Sequence, residues 1–388
     1  MHFYTSITCN YLPKARVLAR SVKQHHPEAV FHVLLSDTPP ASFDVASEPF
    51  DRVWGVEELG IEPLQPWLFQ HSLVEMCTAV KGPGALAIVK AHAPKKLVYL
   101  DPDIVVFSRL QAIEDALDTH SVVLTPHLTD PEHSRAGILD NEISALKHGI
   151  YNLGFVGFRG EGEGLRCLQW WSDRLLAFCR DDIPGGLFTD QRWADHMPGL
   201  FEGVHILRQA QFNVATWNLS NRRAEGTVPH GVTVNGQPLG FYHFSGFDSG
   251  AQATMLDLYG QHSPVLSELR QWYIQRCEEE GQALWGPRAC VYQHFSNGQA
   301  ITRKHRVLYR ERPDLQAAFP QPFDASDPSR SYCHWFEAHG ASEWAMATAE
   351  PVLHVRLAEA ERQLALMQRS RAWRWAQRLS GWARRLRA

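Results

Sequence analysis

Three features are absent from this sequence: a membrane-spanning apolar run, a paired-cysteine motif and an excess of basic charge. No stretch of its 388 residues approaches the ~20 consecutive apolar residues that a membrane-spanning helix needs. Basic side chains number 38 against 42 acidic ones, so the net charge is −4. This balance argues against nucleic acid as the main partner, because duplex binding usually shows as a basic excess. The first seven residues also lack the basic and apolar regions of a secretory signal.

The cysteines are few and scattered. Seven occur, none of them in a Cys-x-x-Cys pair, which excludes the common zinc-ribbon spacings. An odd number of widely separated thiols is typical of reduced, intracellular proteins. The sequence therefore predicts a cytoplasmic protein, and its C-terminal segment leaves open a peripheral position on the inner face of the cytoplasmic membrane.

The first 250 residues alternate between strand and helix patterns. Strands are predicted over 2–8, 29–36, 52–56, 96–100, 121–125, 151–159 and 241–244. Helices are predicted over 11–25, 66–79, 83–92 and 165–180, the third of them beginning after a Gly-Pro-Gly break. This alternation indicates an α/β domain with a largely parallel central sheet.

Beyond residue 250 the strand patterns nearly vanish. Residues 255–280 are predicted as one helix, 298–312 as an extended or turn segment, and 313–331 as surface chain rich in Pro, Asp and Ser. The sequence thus predicts three parts: an α/β domain over 1–250, a helical and irregular accessory region over 251–345, and a helix over 346–388.

The last part has a composition of its own. Residues 349–388 are rich in Ala, Leu, Arg and Glu, which favours a long helix, and the last twenty hold seven Arg and no acid. Spacings of 4, 3 and 4 give such a helix one apolar stripe, made by Trp375, Leu379, Trp382 and Leu386. The pattern is typical of an interfacial membrane helix, and equally of a helix that packs on the protein's own body or in a homodimer.

Residues 96–107 (KLVYLDPDIVVF) carry the most informative pattern. An apolar strand ends in Asp101 and Asp103, and apolar residues then resume. The carboxyl ends of parallel strands are where α/β proteins bind ligands. Like charges so close disfavour each other, and a divalent cation removes that penalty. Oxygen ligands suit Mg²⁺ or Mn²⁺, which also hold diphosphates. The alternative is a plain surface turn, in which Asp-Pro-Asp is common.

The strand-Asp-x-Asp-strand pattern resembles the signature of GT-A glycosyltransferases. Six further segments, in matching order across residues 3–248, resemble the glycogenin and lipopolysaccharide-galactosyltransferase branch, family eight. They are Tyr4-Thr5-Ser6-Ile7-Thr8 with Asn10-Tyr11-Leu12-Pro13, Thr78-Ala79-Val80-Lys81, Tyr151-Asn152-Leu153-Gly154-Phe155, Thr189-Asp190-Gln191, Phe212-Asn213 and Tyr242-His243-Phe244-Ser245-Gly246. The resemblance implies a GT-A fold, that is, a Rossmann-like nucleotide-diphospho-sugar transferase domain with a mostly parallel sheet, followed by a helical extension.

The resemblance also implies roles for residues. Asp101, Asp103 and His243 would hold Mn²⁺ or Mg²⁺ against the donor diphosphate. The positions implied at the donor sugar and the reacting carbon are Asn152, Asp190 and Gln191. The positions implied to contact the nucleotide are Thr5, Ser6, Thr8, Asn10, Tyr11, Lys81, Asp101, Asn213 and Gly246. Two alternatives stay open: His243 as a satisfied core histidine, and Asp190 as the N-cap of a helix that begins at Gln191.

The chain departs from the family's pattern in two places. The family's last motif often ends in a Lys that grips the diphosphate, and here Phe247-Asp248 follows instead. The phosphate contact then falls to Lys81, Arg222 or Arg223. An acid in the first loop of many members is replaced by Cys9-Asn10, which leaves the base of the donor open.

The function that the resemblance implies is retaining transfer of a sugar from a nucleotide-diphosphate donor, most often a UDP-sugar, to a glycan or lipid-linked acceptor in bacterial surface-polysaccharide assembly. A haloacid-dehalogenase-like phosphatase or phosphotransferase also has Asp-x-Asp after a strand, but it needs Thr or Ser where Val105 stands. A catalytically inactive sugar-nucleotide-binding scaffold is the third class. The intact Asp-x-Asp, Asp-Gln and His set argues against it.

Overall fold

The computed structural model describes residues 1–228 and 230–345. The chain divides into two compact units, Met1–Gln293 and His294–Ala388. Within the described residues, no helix is long and apolar enough to cross a membrane. The helix predicted over 346–388, with its membrane or dimer contacts, lies outside the described residues.

The first unit is built on a seven-stranded sheet. The strands of the described chain, in order, are β1 (His2–Ile7), β2 (Val30–Leu35), β3 (Arg52–Gly55), β4 (Lys96–Leu100), β5 (Ile104–Val106), β6 (Val122–Pro126), β7 (Tyr151–Arg159), β8 (Arg180–Asp182), β9 (Leu187–Thr189), β10 (Val204–Ile206), β11 (Ala224–Thr227), β12 (Gly231–Val234), β13 (Gln237–Pro238) and β14 (Phe241–His243). The large sheet has the order β10-β6-β7-β4-β1-β2-β3, and β7 alone runs antiparallel to its neighbours β4 and β6. Its strands β1, β2 and β4 are buried on both faces, as the mainly apolar sequences of β2 and β4 predict.

Helices connect and cover these strands. In chain order they are α1 (Leu12–His25), α2 (Leu64–Gln70), α3 (Leu73–Ala79), α4 (Lys81–His92), α5 (Gln111–Thr119), α6 (Arg135–Gly137), α7 (Ile143–His148), α8 (Gly162–Phe178), α9 (Gln191–Ala194), α10 (Met197–Leu200), α11 (Ala251–Tyr259), α12 (Val265–Glu279), α13 (Gln282–Trp285), α14 (Arg303–Glu311) and α15 (Pro313–Ala318). Residues 332–345 are also helical. The buried stripe of α1 belongs to the main hydrophobic core, which also contains Phe3 of β1 and Phe31 of β2.

The predicted α/β class with a mostly parallel central sheet is confirmed, and a helical region follows the sheet. The predicted boundaries at residues 250 and 345 stay predictions. The first compact unit itself runs on to Gln293 and includes α11 and α12.

The expected Gly-Pro-Gly break between helices is wrong. The helix α4 begins at Lys81, so Pro83 lies in its first turn, where backbone N–H groups have no helical acceptor and a proline is tolerated. The two glycines allow close packing. A Cβ on Gly82 would lie 2.6 Å from Ser172 Cα of α8, and one on Gly84 would lie 2.2 Å from Leu34 Cδ1 of β2.

Two expectations beyond residue 250 are also wrong. The single helix predicted over 255–280 is two helices, α11 and α12, separated by residues 260–264, which end in Pro264. The segment predicted as extended over 298–312 contains α14. Its buried face includes His305 and Arg306 beside Leu308 and Tyr309, and a face with so few apolar residues does not show as a helical pattern in the sequence.

Candidate active site

Strand pairing brings the two aspartates and the distant histidine together. Asp101 directly follows β4, and Asp103 directly precedes β5. The strand β14 pairs antiparallel with β5 and places His243 opposite Ile104, next to Asp103. The backbone N–H of Phe244 donates to the carbonyl oxygen of Asp103 at 2.8 Å, which holds the end of β14 at this point.

The three side chains form a compact set of metal-ligand atoms. One ligand atom from each of Asp101, Asp103 and His243 lies within 4.8 Å of the others. The Nε2 atom of His243 is 3.1 Å from Asp103 Oδ1 and 3.7 Å from Asp101 Oδ2. Burial alone would lower the pKa of His243, but the charge and hydrogen bond of Asp103, together with Asp101, raise it. The two carboxylates therefore favour a positive charge at this point of the structure.

Asn152 fixes the orientation of the imidazole. Its Oδ1 atom lies 3.2 Å from His243 Nδ1, and it also accepts hydrogen bonds from the backbone N–H of Gly154 and from Asn213 Nδ2, both at 3.1 Å. Because an amide oxygen can only accept, Nδ1 carries the proton and Nε2 is left to face the carboxylates. A carboxylate pair with a neutral imidazole oriented in this way could bind a divalent metal ion.

The strand β7 leaves room for this imidazole only because residue 154 is glycine. A Cβ at Gly154 would lie 2.4 Å from His243 Cε1 and 2.8 Å from Asn152 Oδ1. The carbonyl oxygen of Gly154 accepts a hydrogen bond from the backbone N–H of Asp101 at 2.8 Å. The first half of β7 thus supports both the histidine and the first aspartate.

Lys81 connects two of the predicted carboxylates. Its buried Nζ atom is 2.9 Å from Asp190 Oδ2 and 3.2 Å from Asp101 Oδ1, and it donates to the carbonyl oxygen of Leu153 at 3.1 Å. Burial opposes the ammonium charge, but Asp101 and Asp190 together raise the pKa of Lys81. The lysine is therefore a fixed positive charge between the metal site and Asp190.

Asp190 and Gln191 stand where β9 passes into α9. Asp190 occupies the N-cap position of α9, yet its side chain makes no capping hydrogen bond. Its carboxylate instead accepts from Lys81 and, at 3.1 Å, from Thr189 Oγ1, so Asp190 has the predicted N-cap position but its side chain does not cap the helix. Gln191 Oε1 accepts from the backbone N–H of Leu153 at 3.0 Å, and its Nε2 donates to the carbonyl oxygen of His148.

Two cavities meet at this cluster. The larger, of about 360 Å³, is lined by Asn152, Asp190, Gln191 and His243, with Trp217 and His127 among its other walls. The smaller, of about 250 Å³, is lined by Ser6, Thr8, Tyr11, Tyr99 and Asp103, with Cys77 among its other walls. Both linings include Val74, Thr78, Lys81 and Asp101. The candidate metal site therefore lies at the junction of two adjoining spaces.

No protein-family model matches the chain. Two curated relatives are uncharacterized proteins of Bacillus subtilis (strain 168). YfnF is 28% identical over 177 residues, which are 45% of this chain and 57% of YfnF, so the chain spans little more than half of that relative. YfnD is 25% identical over 252 residues, which are 63% of this chain and 78% of YfnD.

Among solved structures, the chain is similar to the galactosyltransferase LgtC, crystallised in complex with donor and acceptor sugar analogs. The TM-score is 0.41 at 17% identity, over 72% of this chain and 96% of LgtC. It is also similar to mouse xyloside xylosyltransferase 1, with a TM-score of 0.38 at 15% identity, over 63% of this chain and 97% of that one.

The remaining predicted residues lie at different depths. Ser6 donates to the carbonyl oxygen of Cys77, and Thr8 Oγ1 donates to Asn10 Oδ1 at 2.6 Å. Neither cavity lining includes Thr5, Asn10, Asn213 or Gly246. Thr5 is fully buried, and Gly246 lies in a turn with a φ of +74°. Asn213 stands behind Asn152 and holds its amide oxygen.

The proposed alternative phosphate contacts are differently placed. Arg222 is buried, and its Nη1 donates to the carbonyl oxygen of Phe212 at 2.8 Å. Arg223 is exposed and pairs with Glu225 at 2.9 Å. Lys81 is the one of the three that lines both cavities.

Two aromatic residues of the site were not predicted. The hydroxyl of Tyr99 donates to Asp101 Oδ1 at 2.6 Å, and its ring lies under Lys81, with Nζ 4.1 Å from the centroid. Its position two residues before Asp101 on a strand was a usable signal, because such residues point to the same face. Trp217 meets the His243 ring edge-on, with centroids 5.4 Å apart, and nothing in the sequence near it indicates this contact.

Proposed function

We propose that the protein is a metal-dependent glycosyltransferase of the GT-A type, which moves a sugar from a nucleotide-diphosphate donor to an acceptor hydroxyl. The observation that carries the proposal is the set of three metal-ligand side chains at the junction of two cavities. A donor of this kind has two bulky ends joined by a diphosphate. The diphosphate needs a cation to balance its charge, and the nucleoside and the sugar each need a separate cavity.

The two cavities suggest how such a donor would lie. The smaller one offers the Tyr11 ring and the hydroxyl-bearing Ser6 and Thr8 to a nucleoside. The larger one offers Asn152 and Asp190 to a sugar, with an acceptor beside it. We propose a UDP-sugar as donor and a glycan or lipid-linked acceptor of a bacterial surface polysaccharide, with the reaction in the cytoplasm, where activated sugars are made.

The residues would share the chemical work as follows. A divalent ion, Mn²⁺ or Mg²⁺, held by Asp101, Asp103 and His243, supplies positive charge against the departing diphosphate. Lys81 holds Asp190 at the wall of the sugar cavity, and its charge opposes the burial that raises the pKa of that carboxyl. From the family resemblance we propose transfer with retention, in which a diphosphate oxygen takes the acceptor's proton and no separate base is required.

The phosphatase alternative is not supported at position 105, where it requires Thr or Ser. Val105, where that chemistry needs a hydroxyl, is buried within β5 and pairs with Tyr242 of β14. An inactive sugar-nucleotide-binding scaffold has the same geometry as an enzyme, so turnover is the measurement that separates these two.

A donor panel tests the proposal. The protein is incubated with each common nucleotide sugar and Mn²⁺ or Mg²⁺, and release of nucleoside diphosphate is measured. We expect release from at least one donor, its loss on chelation of the metal, and a fall of at least about a hundredfold in Asp103→Asn, because one of three metal ligands loses its charge.

The control is Asp173→Asn, which changes an exposed carboxylate on α8 that accepts a hydrogen bond from Gln169 and lies outside both cavities. Full turnover in Asp103→Asn would remove the metal from the proposal. Donor binding without release from any donor and acceptor pair would favour the scaffold.

A further inference from the structure

A buried lysine stands beside the smaller cavity without a role in the site described so far. Lys14 lies in the first turn of α1, and its side chain is 3% exposed. Lysine is rarely buried to this degree unless it is paired. Its ammonium group contacts the carboxylate of Asp248 and lies 4.1 Å above the centroid of the Tyr11 ring.

The partner of this lysine comes from a loop attached to the metal site. The loop leaves β14 immediately after His243, and its first residue, Phe244, is bonded to the backbone of Asp103. Four residues later, Asp248 accepts hydrogen bonds from both Lys14 and the hydroxyl of Tyr11. The side chain of Asp248 is half exposed, in contrast to Lys14.

The Tyr11 ring connects Lys14 to the smaller cavity. Tyr11, which lies against Lys14, lines the smaller cavity together with Asp101 and Asp103. The ammonium group therefore adjoins the place where a nucleotide's phosphates would meet a metal ion.

The other cations considered for the phosphates are already bound to the protein. Lys81 is held by Asp101 and Asp190, Arg222 points to a backbone carbonyl, and Arg223 pairs with Glu225 on the surface. A divalent ion beside two aspartates leaves the charge of a diphosphate unbalanced, so one further cation is needed.

We propose that Lys14 binds the diphosphate of the nucleotide, and that Asp248 holds this lysine in the free protein and gives it up to the incoming phosphate. The proposal rests on the proposed function and adds a residue and an exchange to it. Both partners are anions, so the ammonium trades one charge-assisted hydrogen bond for another. The exposed carboxylate of Asp248 regains water, and the Tyr11 hydroxyl is released at the same time.

The exchange predicts opposite effects for its two members. In Lys14→Gln the phosphates lose a cation, so the dissociation constant of a nucleoside diphosphate should rise about tenfold or more. In Asp248→Asn the lysine has no competing anion, so the same constant should fall several-fold. Lys14→Arg should retain most of the affinity, because it keeps the charge.

The experiment is a calorimetric titration of the full chain, in Mn²⁺, with UDP, GDP, ADP and CDP and with the matching nucleosides. The loss of affinity in Lys14→Gln should be much larger for the diphosphate than for the nucleoside, since a phosphate contact is removed whereas the Tyr11 ring loses only the ammonium group above it. The matched control is Lys23→Gln on the same helix, whose lysine pairs with Asp51.

The outcomes separate this proposal from the proposed function. If the parent protein binds no nucleoside diphosphate, both are overturned. If it binds one and Lys14→Gln binds it equally well, Lys14 is only a structural partner of Asp248 and the proposed function stands. Should Lys14→Gln not fold, the other arm decides: equal or weaker binding in Asp248→Asn overturns the exchange.

Discussion

The amide oxygen of Asn152 receives three hydrogen bonds beside the candidate metal site. The donors come from three different segments: His243 at the end of β14, Gly154 within β7, and Asn213 in the chain before β11. Asn213 is itself held, with its Nδ2 2.8 Å from Thr125 Oγ1. One side chain thus decides which imidazole nitrogen faces the carboxylates.

Asn152→Ala should lower the affinity for Mn²⁺ by about 10–100-fold, because the imidazole loses the acceptor that sets its tautomer and its direction. Calorimetric titration with Mn²⁺ measures the change. Asn152→Asp keeps an acceptor oxygen at the same place and should retain most of the affinity. Equal weakening in both variants would contradict an orienting role, and unchanged affinity in Asn152→Ala would remove it.

Among individual residues, those that belong to a recognisable motif could be predicted from the sequence. Asp101, Asp103 and His243 could be paired from their neighbours and their order along the chain, and the structure brings them together. Lys14 could not. The sequence suggests that a lysine in the first turn of a helix is exposed, but Lys14 is buried and contacts Asp248, more than two hundred residues later in the chain.

The strand β7 is the element that most strongly shapes the site. It alone runs antiparallel in the large sheet, so its beginning, and not its end, lies beside the carboxyl end of β4. Asn152 and Gly154 thereby reach Asp101. Gly154 and Gly157 both belong to β7, but a Cβ would meet the imidazole at 2.4 Å in the first case and a flexible Leu117 tip at 3.2 Å in the second.

Gly154→Ala should therefore abolish metal-dependent turnover and weaken Mn²⁺ binding at least about tenfold, because the added methyl displaces His243. Gly157→Ala is the matched control. It should change turnover and Mn²⁺ affinity by no more than a small factor. Turnover and Mn²⁺ titration measure the pair, with thermal unfolding to show that both variants fold. Normal metal binding in Gly154→Ala would mean that the histidine is not confined by this strand.

Elements were predicted well where apolar residues repeat at one period. Six strands of the large sheet and the helices α1 and α8 fall close to their predicted bounds, whereas the short edge strand β10 was not predicted. The antiparallel direction of β7 was not predictable, because its pattern is that of any doubly buried strand. Nor was α14, since its packing relies on the stems of His305 and Arg306 and on the Tyr309 ring.

Charge is unevenly distributed over the whole molecule. Residues 369–388 hold seven Arg and no acid, so 1–368 hold 31 basic against 42 acidic side chains, a net charge of −11. An anionic lipid surface would repel the acidic residues 1–368 and attract the basic residues 369–388, called the tail below. If this protein acts on lipid-linked acceptors, we expect the tail to be the part that holds it at the membrane.

Deleting residues 369–388 should release the protein from liposomes that contain anionic lipid, because both the cationic charge and the apolar stripe are removed. Co-sedimentation with such liposomes measures the effect, and raised salt should weaken binding of the full chain. A variant with Trp375→Ser and Trp382→Ser keeps every Arg, and its partial release would show that the stripe contributes beyond charge. Equal sedimentation of the full and shortened chains would contradict membrane binding by the tail, and a fall in oligomer mass by light scattering on deletion would favour the homodimer.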